Sequence, residues 1–568
     1  MYLRTTERKN ADGSVVQYYQ LAESLWDPAR GGSVTKVIYN FGRADRVDRG
    51  SLERLAASIT RVFSDSPTDR GADSDDIQVR DSWPYGGIYV LECLWKELGI
   101  GAVLTAQARS KRTAVAFERA LFAMVANRCL SPYSKLYCWE QWIREETFLP
   151  SAHGLDLHHL YFAMDFLELH KAEVEKAVYF ASADLLNADV DLIFYDTTSL
   201  HFEVDDEDEA VQHKFGRDYE PLRKRGHAKN GRSDAPQVVI GLAVTRDGLP
   251  VRSWVFSGET GDVTTVERVK EDLRGWRLGR CVFVGDAGMN SLDNRRSLAL
   301  GNGKYILASR MRAGDEVTHK VLARQGRYKT VADNLRVKVV VVGDGERRQR
   351  YVVCHNPAEE KRQSEHRAKL VTALTAELAS MKDQKGRAHS KHTCELLSSA
   401  RFGRYLQQTD DGQLLLDRKA IKHAARYDGK WVITSNDDTL TSEDLALGYK
   451  QLMRVEACWR QLKSALRLRP VFHFRPWRIQ AHVTISVLAL LLERIAEIRA
   501  GDTWRNIAAR LEQIKVVEYD RAGARVRQTT ELRSEAEELL KQLKVPMPPM
   551  VHRVEVATPA APVESGDV

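Results

Sequence analysis

Two short apolar runs in this chain each lead into an aspartate, and a third acid lies on a helical stretch far downstream. Val190-Asp191-Leu192-Ile193-Phe194-Tyr195 runs into Asp196, and Cys281-Val282-Phe283-Val284-Gly285 runs into Asp286. Glu456 closes the stretch Tyr449-Lys450-Gln451-Leu452-Met453-Arg454-Val455-Glu456. Carboxylates at strand ends, joined by one from a helix, can hold two divalent cations for in-line attack on a phosphodiester. Their hard oxygen donors suit Mg²⁺, with Mn²⁺ as a substitute. Such a site exists only if the fold gathers three distant segments, so the acids constrain topology first.

The elements around them supply a topology that can do this. Val190–Asp196 predicts a strand, Pro236–Thr245 a second, and Val251–Phe256 a third joined by the Asp247-Gly248 turn. Thr264-Thr265-Val266-Glu267 has the pattern of a capping box opening a helix. Cys281–Gly285 and Lys304–Ala308 are the fourth and fifth strands, with a helix between them. The order β, β, β, α, β, α, β, closed by the Glu456 helix, describes an α/β ribonuclease H-like core. In that fold the first and fourth strands are neighbours, and ligands collect at the carboxyl ends of the strands.

The rest of the chain divides around this core. A β-rich hairpin unit is expected at 1–63, a polar linker at 64–82 and a helical, DNA-contacting block at 83–186. The first part of the core spans 187–311, a β-containing insertion 312–440 and the last core helices 441–500. A helical segment at 501–544 and a disordered tail at 545–568 follow. In the helical block, Arg109, Lys111, Arg112, Arg119, Arg128 and Lys135 either face DNA or form a solvated face.

Composition narrows the function only a little. Lys plus Arg is 85 and Asp plus Glu is 78 in 568 residues, so +7 alone does not identify a nucleic-acid binder. The opening Met1–Lys9 lacks the apolar core of a signal peptide. The apolar run Val483–Leu492 is too short to span a bilayer and reads as a buried helix. Seven cysteines without paired spacing point to reduced thiols and a cytoplasmic location, with no membrane partner.

Thr441-Ser442-Glu443-Asp444 predicts the start of the helix that carries Glu456, and Pro470 bounds its end. Tyr449, Glu456 and Lys463 are seven apart, which keeps them on one helical face. There Tyr449 and Lys463 would grip phosphates beside the metal, and Arg460 would add a contact or pair with Glu456. The alternative is an ordinary amphipathic helix. Arg225 and Lys229 lie in a basic, glycine-containing loop soon after Asp196, a natural phosphate contact. Trp431 lies on a strand just before the helix and either stacks on a displaced base or packs in a core. Phe472-His473-Phe474-Arg475-Pro476-Trp477-Arg478 is either a nucleic-acid groove or a packed turn. The acidic run Asp205–Glu209 reads as a solvated loop, and His389, His392, Cys394, Cys354 and His355 fit no standard zinc spacing.

The stretch Tyr449 to Glu456, followed by Trp459-Arg460-Gln461-Leu462-Lys463, resembles the Tyr–Arg–Glu–Lys signature of bacterial insertion-sequence DDE transposases. Tyr195-Asp196-Thr197-Thr198-Ser199 and Gly285-Asp286-Ala287-Gly288-Met289 resemble the surroundings of that family's two aspartates. The likeness runs from Tyr2-Leu3-Arg4 to about Leu543. It implies a ribonuclease H-like fold with a β-rich insertion before the glutamate. It also implies Mg²⁺-dependent cleavage of double-stranded DNA at element ends, strand transfer into target DNA, and a homodimer on the DNA near the nucleoid. Leu452 stands where the signature has arginine, so the motif here is Tyr449, Leu452, Glu456, Lys463. Two other readings use the same scaffold: a catalytically inactive or domesticated DNA-binding protein, or a different ribonuclease H-like nuclease.

Overall fold

Alternating and continuous apolar runs need hydrogen-bonded partners, and in the computed structural model they find them in sheets. The structure describes residues 2–9, 15–27, 32–44, 47, 77–107, 111–186, 191–227, 231–232, 234–274, 276, 281–311, 316–345, 348–381, 386–521 and 523–556. The chain divides into two units, Met1–Ile77 and Gln78–Val568. In the first, β1 (Tyr2–Lys9), β2 (Val15–Asp27) and β3 (Gly32–Arg43) form an antiparallel meander. The expected hairpin therefore has a third strand.

In the second unit the strands run in chain order as follows. β4 is Gln78–Pro84, β5 Leu192–His201, β6 Gln212–Lys214, β7 Arg217–Tyr219, β8 Gln237–Thr245 and β9 Pro250–Ser257. β10 is Val282–Gly285, β11 Lys304–Ser309, β12 Lys329–Ala332, β13 Leu335–Val342 and β14 Gln349–His355. β15 is Leu406–Gln408, β16 Leu414–Leu416 and β17 Lys430–Ser435. Nine of them make one sheet in the order β12-β13-β14-β17-β11-β10-β5-β8-β9. β5 pairs in parallel with β10, and β10 in parallel with β11, while β8 and β9 add antiparallel to the other side of β5. The first and fourth core strands are thus neighbours, as the element order predicted.

The insertion departs from expectation. β12, β13, β14 and β17 extend the same sheet, with β17 docked antiparallel on β11. The stretch between β14 and β17 gathers a small core of its own, around Leu370, Leu374, Leu396 and Tyr405, and Val317, Val321, Val340, Val342, Tyr351, Val353 and Val432 form another against the sheet. There the Arg367 guanidinium grips the Asp428 carboxylate with both of its terminal nitrogens.

The C-terminal region also differs. β18 (Lys515–Arg521), β19 (Ala524–Thr529) and β20 (Val551–Val556) form a sheet with β4, in the order β20-β19-β18-β4. Strands therefore occupy parts of the expected linker, of the helical segment at 501–544 and of the disordered tail from 545. β18 and β19 form a local hairpin, but the partner of β4 is remote in sequence: Arg80 on β4 meets Asp520 on β18 at 2.7 Å. Local apolar content could not reveal β4, which exists through such distant pairing.

Helices run from Gly86 to Leu186, but several of the basic residues there turn inward. Arg119 is held by Glu92 and Glu118. Arg128 is buried and donates to the carbonyls of Leu466 and Arg467. Lys135 is buried, and that burial pushes its ammonium well below the usual lysine range. These three are interior residues. Arg109 and the side chains of Lys111 and Arg112 lie outside the described residues. Behind the sheet runs the Pro476–Ala500 helix, opened by Pro476 and closed by Gly501 in the left-handed region (φ 65°). It is long and apolar enough to cross a membrane, yet 89% of its most apolar stretch is buried inside the fold, as a core helix requires.

Gly241, on β8, shows how tightly the sheet centre is filled. A Cβ there would lie 2.5 Å from the hydroxyl of buried Tyr195, the residue before Asp196. Gly241→Ala is expected to destabilise the second unit by about 1–3 kcal/mol through overpacking. Chemical denaturation checks this, and Tyr195→Phe in the same chain should recover part of the loss.

Candidate active site

The parallel register of β5 and β10 sets two of the acids side by side. Phe194 is opposite Val284, so Asp196 and Asp286, each two residues further on, share a face at the same level. β5 does not end at Asp196. It continues to His201 against β8, whereas β10 stops at Gly285. Asp196 is the one half-exposed position in the otherwise buried stretch Leu192–Leu200, because its neighbour strand has ended there. Past β10 the chain turns sharply, and Asp286 Oδ1 accepts from the N–H groups of Gly288 (2.9 Å) and Met289 (3.3 Å). Those bonds fix the orientation of the carboxylate.

The third acid arrives on a broken helix. Ser442–Lys450 is capped by Thr441 with Asp444, as predicted. A tight turn at Gln451-Leu452 then separates it from Met453–Ser464. Tyr449 therefore does not share one unbroken helix with Glu456 and Lys463, contrary to the expected seven-residue spacing on a single face. The first helix lies across the sheet, with Gly448 close over Leu192 and Ile306. Tyr449, at its end, is surrounded by acid. Burial and then the nearby charges of Asp286, Glu456 and Asp196 push its phenol far above the usual tyrosine range. All three acids thus bear on one side chain. Glu456 is exposed, while Asp196 and Asp286 are half-buried.

The acids are not packed ligand to ligand. Among the described residues, the one set of three metal-ligating groups with all ligand atoms within 4.8 Å is Asp156, His158 and His159. That set is an exposed helix start, where Asp156 and His159 form a reciprocal cap. At least one pair among Asp196, Asp286 and Glu456 is therefore wider than 4.8 Å. Their donor chemistry is nonetheless that of a hard divalent cation, since the charges converging from the two strands and the helix are all carboxylates.

The remaining candidates separate. Lys463 comes to β5: its ammonium donates to the Thr198 hydroxyl, on the same strand face as Asp196. Arg460 is exposed and lines a cleft of about 800 Å³ with Trp142, Trp504 and Glu497. Arg225 is occupied within its own loop, bonding the Asp205 and Asp234 carbonyls and Glu207. Asp208 is buried and held by Arg223 at 2.6 Å. The acidic run is thus solvated at Asp205, Asp206 and Glu209, while Glu207 and Asp208 pair with the basic loop beside it. Lys229 lies outside the described residues. Trp431 sits on β17 opposite Cys354 and packs, half-buried, against the main core. Cys354 is buried in β14 while His389, His392 and Cys394 lie on another helix, so no zinc set forms among them. In the aromatic–basic segment, Trp477 is buried, whereas Phe472 and Phe474 are 70% and 58% exposed.

The structure adds one acid that the sequence reading missed. Asp262 opens the helix Asp262–Asp272 after β9, two residues ahead of the predicted capping box. Its carboxylate accepts from the Thr197 hydroxyl, beside Asp196. A Cβ on Gly288 would lie 3.2 Å from Asp262 Oδ2 and 3.2 Å from Asp286 Oδ1, so these oxygens flank the same glycine. The signal available was an acid bounded by glycines, Gly258-Glu259-Thr260-Gly261-Asp262, directly after a core strand.

Comparison with known proteins bears on this geometry. Residues 3–69 match the IS1634 family transposase N-terminal domain, and residues 210–492 match the transposase DDE domain. The chain belongs to the insertion-sequence DDE transposases. Asp286 and Glu456 fall inside the second match, and Asp196 just ahead of it. No curated protein matches the chain. A solved piggyBac transposase synaptic complex with hairpin DNA aligns at a TM-score of 0.36 and 10% identity, covering 75% of this chain and 79% of that one. That likeness is too distant to carry an argument.

In this transposase Leu452 is a core residue, 7% exposed at the turn between the two helices. Leu452→Arg, which writes the family's arginine into the motif, is expected to destabilise the protein by about 3 kcal/mol or more, as an unpaired buried charge does. Thermal unfolding compared with Leu452→Met checks this. Equal stability of the two variants would show that the position opens to solvent.

Proposed function

We propose that the transposase binds the ends of its insertion sequence, cleaves the DNA there by hydrolysis, and joins the freed 3′-hydroxyl to target DNA. The sheet β9-β8-β5-β10-β11 with its following helices is read as a ribonuclease H-like core, and β12–β17 as the insertion that precedes the glutamate. The observation that carries the proposal is the parallel register of β5 and β10, which sets Asp196 and Asp286 level in a chain that matches the transposase DDE domain.

Asp196, Asp286 and Glu456 would hold the divalent cations, Mg²⁺ or Mn²⁺. When bound, such ions supply Lewis-acid activation and neutralise charge at the scissile phosphate. The chain's own groups do the rest. The turn after β10 holds the Asp286 carboxylate in one orientation through two backbone N–H groups. Lys463, anchored at Thr198 beside Asp196, sets a positive charge next to the acids, where a DNA phosphate would lie. Tyr449, whose phenol is pushed above the usual tyrosine range by burial and then by the nearby carboxylates, would offer a hydrogen-bond donor to a phosphate oxygen. Arg460 extends the contact along the exposed helix. Target and element DNA are the partners, and two copies of the chain would hold the two element ends. Arg225, Lys229 and Trp431 are weaker candidates for DNA contact, Arg225 because its guanidinium is already engaged.

Asp286→Ala is expected to abolish cleavage of an element-end duplex in Mg²⁺ while leaving end binding largely intact, because binding rests on many phosphate contacts. Gel assays of cleavage and binding on one preparation separate the two, and full cleavage by the variant sinks the assignment. Wild-type protein that binds ends and never cleaves them would instead identify a DNA-binding protein on a transposase scaffold. Lys463→Ala should reduce the log–log salt slope of end binding by about 0.9. A salt titration with an unchanged slope would place Lys463 in an internal role at Thr198 only.

A further inference from the structure

Asp262 has no part in the three-acid reading, yet one of its oxygens lies near the Asp286 carboxylate, on an element of its own. It heads an eleven-residue helix, where the helix dipole favours a negative charge. One oxygen receives the hydroxyl of Thr197, the residue after Asp196 and on the opposite face of β5. The other faces Gly288, the glycine whose N–H holds Asp286. Asp262 Oδ2 and Asp286 Oδ1 each lie 3.2 Å from the position of a Gly288 Cβ, so they are no more than twice that distance apart. Any side chain at 288 would crowd both oxygens, and glycine lets the two carboxylates approach. Two like charges so placed repel each other, and a cation relieves the repulsion.

We propose that Asp262 is a positioning carboxylate of the metal cleft. It braces β5 at Asp196 through Thr197, and its charge beside the Asp286 turn strengthens divalent-cation binding there. The proposal rests on the reading of Asp196, Asp286 and Glu456 as cation ligands. Outer carboxylates that orient a metal's ligands typically contribute 10–100-fold to metal affinity or activity. The competing explanation is a plain structural staple between the helix and β5, in which the charge of Asp262 does nothing.

Two substitutions separate these explanations. Asp262→Asn removes the charge and keeps an oxygen to accept from Thr197. Thr197→Val removes the hydrogen bond and keeps the charge. The measurement is Mn²⁺ binding to the full, DNA-free chain, followed by the electron paramagnetic resonance of free Mn²⁺, with thermal unfolding in metal-free buffer alongside. Asp262→Asn is expected to bind Mn²⁺ about tenfold more weakly at an unchanged metal-free Tm. Thr197→Val is expected to lower Tm with a smaller loss of affinity. If Asp262→Asn does not fold, Asp262→Ser, which also suits a helix start and is uncharged, should show the same weakening. Wild-type Mn²⁺ affinity in the uncharged variant overturns the proposal and leaves the staple. Asp286→Ala distinguishes a deeper failure: if it also binds Mn²⁺ undiminished, the cation reading of the cleft is wrong and the role of Asp262 falls with it.

Discussion

The parallel pairing of β5 with β10 is the constraint on which the candidate site depends. Parallel strands need a crossover between them, and here the intervening chain supplies β8, β9 and the Asp262–Asp272 helix before returning as β10. That path puts Asp196 and Asp286 level on adjacent strands. It also brings Asp262 to the same end of the sheet. Because side chains alternate along a strand, a slip of one residue would turn either aspartate to the opposite face. The buried neighbours of Asp196 hold that register. Phe194 and Tyr195 are fully buried, and Gly241 leaves room for the Tyr195 ring.

Gathering carboxylates in one cleft has an electrostatic cost, and the surroundings offset part of it. Backbone N–H groups hold Asp286, a helix start carries Asp262, and the Lys463 ammonium reaches Thr198 beside Asp196. Tyr449 registers what is left, since burial and then three nearby negative charges push its phenol above the usual tyrosine range. The basic residues elsewhere serve other ends. Arg119, Arg128 and Arg223 are engaged in interior or half-buried contacts, and Arg225 is bound to its neighbouring acidic loop. A count of cations along the sequence therefore overstates the surface open to phosphate.

The broken helix carries a second lesson about the site. Tyr449 and Glu456 meet the same acids although a tight turn separates their helices. Leu452 belongs to the core at that turn. The motif residues are brought together by the packing of two short helices on the sheet, and the heptad spacing is incidental. The aromatic–basic segment that follows splits in the same way, with Trp477 inside and Phe472 and Phe474 outside.

What the sequence determined by itself was local and periodic. The apolar runs ending in Asp196 and Asp286, the Asp247-Gly248 hairpin, the Thr441 cap and the buried helix after Pro476 all follow from patterns within a few residues. Their order implied that the first and fourth strands would be neighbours, which places Asp196 and Asp286 on adjacent strands. Tertiary structure alone decided the rest, because it depends on partners outside any local stretch of the chain. Only pairing across the chain makes a strand of Gln78–Pro84, or joins β12, β13, β14 and β17 to the main sheet. Only packing buries Arg128 and Lys135, and only the approach of the Asp262 helix to Thr197 and Gly288 reveals a fourth acid in the cleft. A residue's type and its near neighbours set what it can do, whereas charge, burial and distance to a remote partner set what it does.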